Sequence, residues 1–112
     1  MEELASWLLE GLTSSSGKLV LRRRPAAAVK LYRFAAERGY AKAFLNLGYC
    51  HDVGLGTARN VEQAIHWYRK AVRAGDLAAA SNLATLWREQ GDARKYVYWR
   101  ERAREMEARR SE

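Results

Sequence analysis

The sequence predicts an all-α protein of about six helices, built as a helical repeat, and three observations predict it. First, one shift of 36 residues carries Ala28 onto Ala64, Tyr32 onto Tyr68, Ala35 onto Ala71 and Gly39 onto Gly75. The same shift carries Ala43 onto Ala79, Asn46 onto Asn82 and Leu47 onto Leu83, which is the mark of a repeat architecture. Second, within each unit the apolar residues recur at i, i+3, i+4 and i+7, with glycines and capping residues between the runs. Third, the chain has a single proline and long alanine-rich runs, which favour helix over sheet. Its 112 residues bound it to one domain. A 48% hydrophobic share with six Tyr, four Trp and two Phe is the composition of a folded globule.

At the start, residues 2–12 read as a short amphipathic helix carrying Leu4, Trp7, Leu8 and Leu9, the degraded first helix of the first unit. Residues 13–17 form a polar loop. Residues 18–24 are a basic connector that ends at Pro25, a residue suited to the first turn of a helix. Residues 1–24 are therefore a degenerate first half-repeat, and 25–112 are the repeat domain.

The second unit opens with a stripe of Ala43, Phe44, Leu47, Cys50 and His51. A loop follows, Gly54-Leu55-Gly56-Thr57-Ala58-Arg59, whose glycines permit a tight exit from the helix. Asn60 stands where an N-cap belongs, with Gln63 at the third helical position. Ala64, Trp67, Tyr68, Ala71 and Val72 then form the stripe of the second helix. Gly75 closes that helix, and Asp76 is placed to cap the next.

In the third unit the first helix runs from Ala79 through Trp87, and its loop shrinks to Gln90-Gly91-Asp92. Aligning Tyr98-Trp99 with Trp67-Tyr68 gives an offset of 31, a loop shorter by five residues. The last helix, over 93–108, turns polar, as suits a terminal cap whose outer face meets water. Each helix-turn-helix unit leaves an apolar face uncovered, so neighbouring units must stack.

These residues resemble the Sel-one-like repeat (SLR) family, relatives of the tetratricopeptide repeats. The family unit runs A-x-x-x-L-G, an aromatic three positions on, G-x-G, a capping Asp or Asn, then A-x-x-W-Y-x-x-A-A-x-x-G. Ala43, Leu47, Gly48, Gly54, Gly56, Asn60, Ala64, Trp67, Tyr68, Ala71 and Gly75 supply one nearly complete repeat, and the resemblance spans roughly residues 25–105. Departures are His51 for the usual Tyr, Thr57 for Val, Val72 for the second Ala, and, in the third unit, Ala84 for Gly and Gln90 for the loop Gly. The resemblance implies a right-handed α-solenoid that serves as an adaptor or scaffold for other proteins. Family members act in bacterial signalling, secretion and host interaction, and in eukaryotic degradation machinery.

Catalytic and metal chemistry find little support. Adjacent helical residues point about 100° apart, so Cys50 and His51 do not face each other and read as core. His66 falls on an exposed flank with no second ligand at i+4. One Cys and two His make no metal set. Gly54-Leu55-Gly56 lacks the Gly-Lys-Ser/Thr ending of a phosphate loop. The expectation is a non-enzyme without cofactors.

The acidic start MEELASWLLEGL is unlike a secretory signal, and no run reaches the roughly 18 apolar residues of a membrane span. With one cysteine and no internal disulfide available, a soluble, cytoplasmic, bacterial adaptor is expected, as a monomer or a weak end-stacked dimer.

Binding is expected on the face opposite each first-helix stripe. In the second unit that face offers Lys42, Leu45, Asn46, Tyr49 and Asp52; in the third, Ala78, Ser81, Asn82, Thr85 and Arg88. Asn46 and Asn82 fall at equivalent places on adjacent repeats, and their amides both donate and accept, which suits gripping a peptide backbone. In related helical repeats such residues line the concave surface. A net charge of +7, with 15 arginines among 20 basic residues, points to an acidic protein partner, or to an inhibitor that occludes one. Nucleic acid is the alternative, through Lys18, Arg22, Arg23, Arg24, Arg100, Arg102, Arg104, Arg109 and Arg110. Against it, the C-terminal arginines alternate with Glu101, Glu105 and Glu107, and few aromatics are left to stack on bases.

Overall fold

The structure, a computed structural model, describes residues 24–110. They form five helices: α1 (Pro25–Glu37), α2 (Ala41–Val53), α3 (Val61–Arg73), α4 (Leu77–Glu89) and α5 (Ala93–Arg110). The short helix expected over 2–12, the loop over 13–17 and all of the basic connector but Arg24 lie outside the described residues. Consecutive helices pack on one another, and α2 also touches α4, so the first helices of successive repeats are neighbours. This is an α-solenoid in which α1 is the second helix of one repeat, α2–α3 make the next, and α4–α5 the last.

One turn is used three times. At the ends of α1, α3 and α4 a glycine takes positive φ: Gly39 at 85°, Gly75 at 92° and Gly91 at 80°. At each, the glycine N–H returns to a carbonyl three residues back, at 2.9–3.1 Å (Ala36, Val72, Arg88). The next residue's N–H returns five back, Tyr40 to Ala35, Asp76 to Ala71 and Asp92 to Trp87, at 3.0–3.1 Å. This paired closure satisfies carbonyls that a helix end leaves open. The residue after the glycine then starts the next helix. The Asp76 carboxylate accepts from Ala79 N–H at 3.3 Å, and Asp92 accepts from Lys95 N–H at 3.1 Å. Asn60 does the same for α3, accepting from Gln63 N–H at 3.1 Å.

The loop between α2 and α3 is the exception, and it serves packing. Gly56, at φ 75°, lies so close to the start of α1 that a Cβ there would fall 2.3 Å from the Pro25 carbonyl oxygen. The loop's far end is tied back by Asn60 N–H on the His51 carbonyl, 2.9 Å, and by Arg59 Nε on the Asp52 carbonyl, 2.7 Å.

The third unit's loop corrects the expected register. The α2–α3 loop is residues 54–60 and the α4–α5 loop residues 90–92, a loss of four residues rather than five. The offset between second helices is therefore 32, which puts Tyr96, Trp99 and Ala103 at the places of Ala64, Trp67 and Ala71. Burial agrees: Trp99, Ala103 and Met106 pack against the core, whereas Tyr98 is 54% exposed. Tyr68 and Val72 then correspond to Arg100 and Arg104, both exposed. In α3 those two places face a following repeat, while in α5 nothing among the described residues covers them.

That register explains a departure from the family pattern. A Cβ on Gly48 would stand 2.7 and 2.9 Å from ring carbons of Tyr68, which is fully buried and has nowhere to move. Ala84, at the equivalent place in α4, has Arg100 rather than a tyrosine at the matching place of α5. Replacing Gly48 by Ala gains about 1 kcal/mol of helix propensity but forces overpacking that costs about 1–3 kcal/mol in a well-filled core. Urea unfolding should therefore find Gly48→Ala less stable than the wild type, and Ala84→Gly should also be less stable, by the propensity difference of about 1 kcal/mol and by about 0.8 kcal/mol for its buried methyl.

Candidate functional site

Tyr68 organises the face shared by α2 and α4. It rises from α3, lays its ring on Gly48 of α2, and packs with Ala79, Ala80 and Leu83 of α4. Its side chain is wholly buried, yet its hydroxyl reaches the polar side of the first helices, where it donates to Asp52 Oδ2 at 2.9 Å. The Asn82 side chain makes a further hydrogen bond to the same hydroxyl. Burial first, then the Asp52 carboxylate, push Tyr68 far above the usual tyrosine range, with Asn82 acting the other way. The phenol thus stays a proton donor, and two repeats meet at one polar atom.

Around this centre lies the exposed part of the face. Tyr49 is 45% exposed and Val53 51% exposed, both on α2. Asn46 is half-buried, and its Nδ2 donates to the Lys42 carbonyl at 3.2 Å. Asn46 and Asn82 occupy the same place on α2 and α4, but Asn82 is committed to Tyr68 and Asn46 to its own helix. Lys42, Ser81 and Thr85 are exposed, with Thr85 Oγ1 donating to the Ser81 carbonyl at 3.2 Å. Arg88 turns toward α5, its guanidinium carbon 5.9 Å from the Tyr96 ring centre. Tyr49, Asp52 and Asn82 are therefore gathered about Tyr68, whereas Arg88 is drawn away from them.

Sequence reasoning placed Tyr68 in the core stripe and missed its hydroxyl. The signal was present: Tyr recurs at 32 and 68, and a buried Tyr, unlike Phe, needs a hydrogen-bond partner. Also missed was the convergence of Arg73 with arginines of α5, described below.

The arginines expected to make a basic stripe divide. Arg100 Nη1 donates to the Tyr96 hydroxyl at 3.3 Å, and Arg104 pairs with Glu101 at 3.5 Å. Arg102, Arg109 and Arg110 are exposed elsewhere on α5, and Arg24 is exposed before α1. Lys18, Arg22 and Arg23 lie outside the described residues.

Cys50 and His51 are core residues. Cys50 is fully buried among Tyr32, Ala43 and Leu47, and burial pushes its thiol up to about 11, which leaves it protonated and a poor nucleophile. His51 is 5% exposed, with Nε2 3.4 Å from Arg33 Nη2. A guanidinium only donates, so Nε2 accepts and the ring proton sits on Nδ1. Among the described residues no group of His, Cys, Asp and Glu is placed to hold a metal, and no helix is long and apolar enough to cross a membrane.

Burial and the Arg33 charge hold His51 below the ordinary value of 6.5. A base whose pKa is lowered by folding contributes stability above its unfolded pKa and loses it as pH falls through the folded one. Melting temperatures measured from about pH 7.5 down to pH 5 should therefore fall more steeply for the wild type than for His51→Gln. Parallel curves for the two proteins would contradict this reading.

Comparison with known proteins agrees with the architecture. The Sel1 repeat family model matches residues 1–40 and again 41–76. A chitin synthase regulator, SKT5, of Malassezia restricta is 39% identical over 83 residues, 74% of this chain and 5% of that protein. The DAP3-binding cell death enhancer 1 of Rattus norvegicus is 37% identical over 60 residues, 54% of this chain and 12% of that protein. The chain thus spans a small part of the curated relatives it matches. A Sel1 repeat protein from Oxalobacter formigenes, solved by crystallography, superposes with a TM-score of 0.70 over 95% of this chain and 44% of its own, at 24% identity. Two matched repeats, the glycine-closed turns and the stacked helix pairs make this chain a member of the Sel1 repeat family.

Proposed function

We propose that the chain is a protein-interaction module, an adaptor or scaffold or an inhibitor of one partner, that holds an acidic protein against the concave face lined by α2 and α4. The observation that carries this reading is the ordered arrangement around Tyr68. A half-exposed Tyr49 stands beside a polar centre, Tyr68–Asp52–Asn82, that spans two repeats and is held by buried packing. Rigid aromatic anchors next to fixed polar groups are what interface hot spots are made of. Lys42, Asn46, Ser81 and Thr85 supply the surrounding polar rim, and Arg88 borders it on the α5 side. Sel1 repeats generally mediate protein–protein contact, and relatives are named as a regulator and a binding protein, which supports the class.

Catalysis is no part of this reading, given a buried, protonated Cys50 and a His51 turned to Arg33. Residues 1–24 are proposed to complete the first repeat, because α1 stands in the place of a second helix and the family model matches residues 1–40 as one unit. A reducing cytoplasm suits a lone, fully buried thiol.

The test is affinity capture from native lysate with purified chain, with and without nuclease, read by mass spectrometry. A stoichiometric, nuclease-resistant protein should be recovered. The Tyr49→Ser/Asn46→Ala variant should keep its helical circular dichroism and weaken that complex by about tenfold or more, the loss expected of a truncated hot spot. Nuclease-sensitive recovery that this variant retains would overturn the reading in favour of nucleic-acid binding through the arginines.

A further inference from the structure

We propose that a second binding site, which shares no lining residue with the α2–α4 face, docks an acidic peptide segment of a partner protein, one in which carboxylates flank an aliphatic residue. The site is a groove of about 510 Å³ where the end of α3 and the start of α4 meet α5. Its floor is apolar, from Val72, Leu77 and Met106, and its rim carries Arg73, Arg102, Arg109 and Arg110. On α5 the lining residues 102, 106, 109 and 110 recur at one helical face, so three guanidiniums and a thioether look the same way. Arg73 closes the groove from the opposite wall.

Four features point to this occupant. Among the described residues no carboxylate lines the groove, so none of them neutralises the four positive charges within it. The ion pairs among the described residues join Lys95 to Asp92 and Arg104 to Glu101, and none involves these four arginines. Asp76, three residues after Arg73, has its carboxylate engaged in capping α4 at Ala79, and Glu101, next to Arg102, pairs with Arg104 instead. The apolar floor suits an aliphatic side chain, and no aromatic among the described residues lines the groove to stack on a base, which favours a peptide over a nucleic acid. Placing Arg109 and Arg110 in the last turn also favours α5 itself through the helix dipole. Arg73 holds the same place in the last turn of α3, but that local role does not call for Arg102, which stands earlier on the same face of α5. Forked guanidiniums bind carboxylates in a bidentate way, and the groove volume lies within the roughly 300–1,000 Å³ of ligand clefts.

Fluorescence anisotropy with a labelled peptide centred on Asp-Glu-Leu-Asp-Glu tests this, against its Asn-Gln-Leu-Asn-Gln analogue and a labelled oligothymidylate. The full chain should bind the acidic peptide and bind the amide analogue at least tenfold more weakly. Arg73→Gln with Arg102→Gln should cost roughly tenfold, two rim charges of ordinary strength, and Met106→Gln should weaken binding separately. Tyr49→Ser should leave the peptide affinity unchanged, so this site and the α2–α4 face stand or fall independently. The inference is overturned if the paired arginine variant binds the peptide as the wild type does with its circular dichroism intact. It is equally overturned if the oligothymidylate binds more tightly and competes the peptide away.

Discussion

The array depends on one buried tyrosine. Tyr68 is the place where α2, α3 and α4 meet: its ring needs the missing Cβ of Gly48, its flank needs the small alanines of α4, and its hydroxyl needs Asp52 and Asn82. A solenoid is stabilised by contacts between nearest neighbours, so the side chain that joins one repeat to the next sets how far the units act as one body. Phenylalanine would fill the same volume, but it would leave Asp52 and Asn82 without their shared partner. The hydroxyl therefore fixes the rotation of α4 against α2, and with it the spacing of the polar groups along their common face.

The end of the array shows what happens when that demand is lifted. In α5 the places of Tyr68 and Val72 hold Arg100 and Arg104, which meet solvent and pair locally with Tyr96 and Glu101. Once no ring has to lie on it, the glycine of the first helix can become Ala84, and the long packing loop can become the three-residue turn already used between repeats. Charge released from packing at this end gathers beside α3, where Arg73 meets Arg102, Arg109 and Arg110. The two surfaces thus differ in character: an aromatic and polar face of mixed charge organised by Tyr68, and a cationic groove set by the capping helix.

Most of the fold was legible in the sequence because repeats announce themselves twice. The 36-residue shift, the glycine stops and the Asn60 and Asp76 caps are local signals, and each described helix begins and ends within a few residues of where they put it. His51 and Cys50 were readable as core from their place on the stripe of α2. The register of α5 was not readable from the Tyr98-Trp99 pair, because two adjacent aromatics match a Trp-Tyr motif in either of two offsets; only the loop length and the burial of Trp99 separate them. Of the candidate face, the residues of α2 and α4 were assigned by periodicity alone. That could not reveal that Asn46 bonds its own helix while Asn82 bonds Tyr68, since the difference lies in a contact from a third helix. The groove arginines were visible as charge but not as a group, because Arg73 joins them only through the packing of α5.

The most direct measurement is a double-mutant cycle in urea unfolding between Tyr68→Phe and Asp52→Ala, with Tyr68→Phe and Asn82→Ala as the second pair. If the hydroxyl joins the two repeats as described, each pair should show a coupling of about 1 kcal/mol or more, the worth of a hydrogen bond made in the protein interior. Additivity within about 0.5 kcal/mol for both pairs would contradict it, leaving Tyr68 a space-filling residue and the shared face without its organising centre.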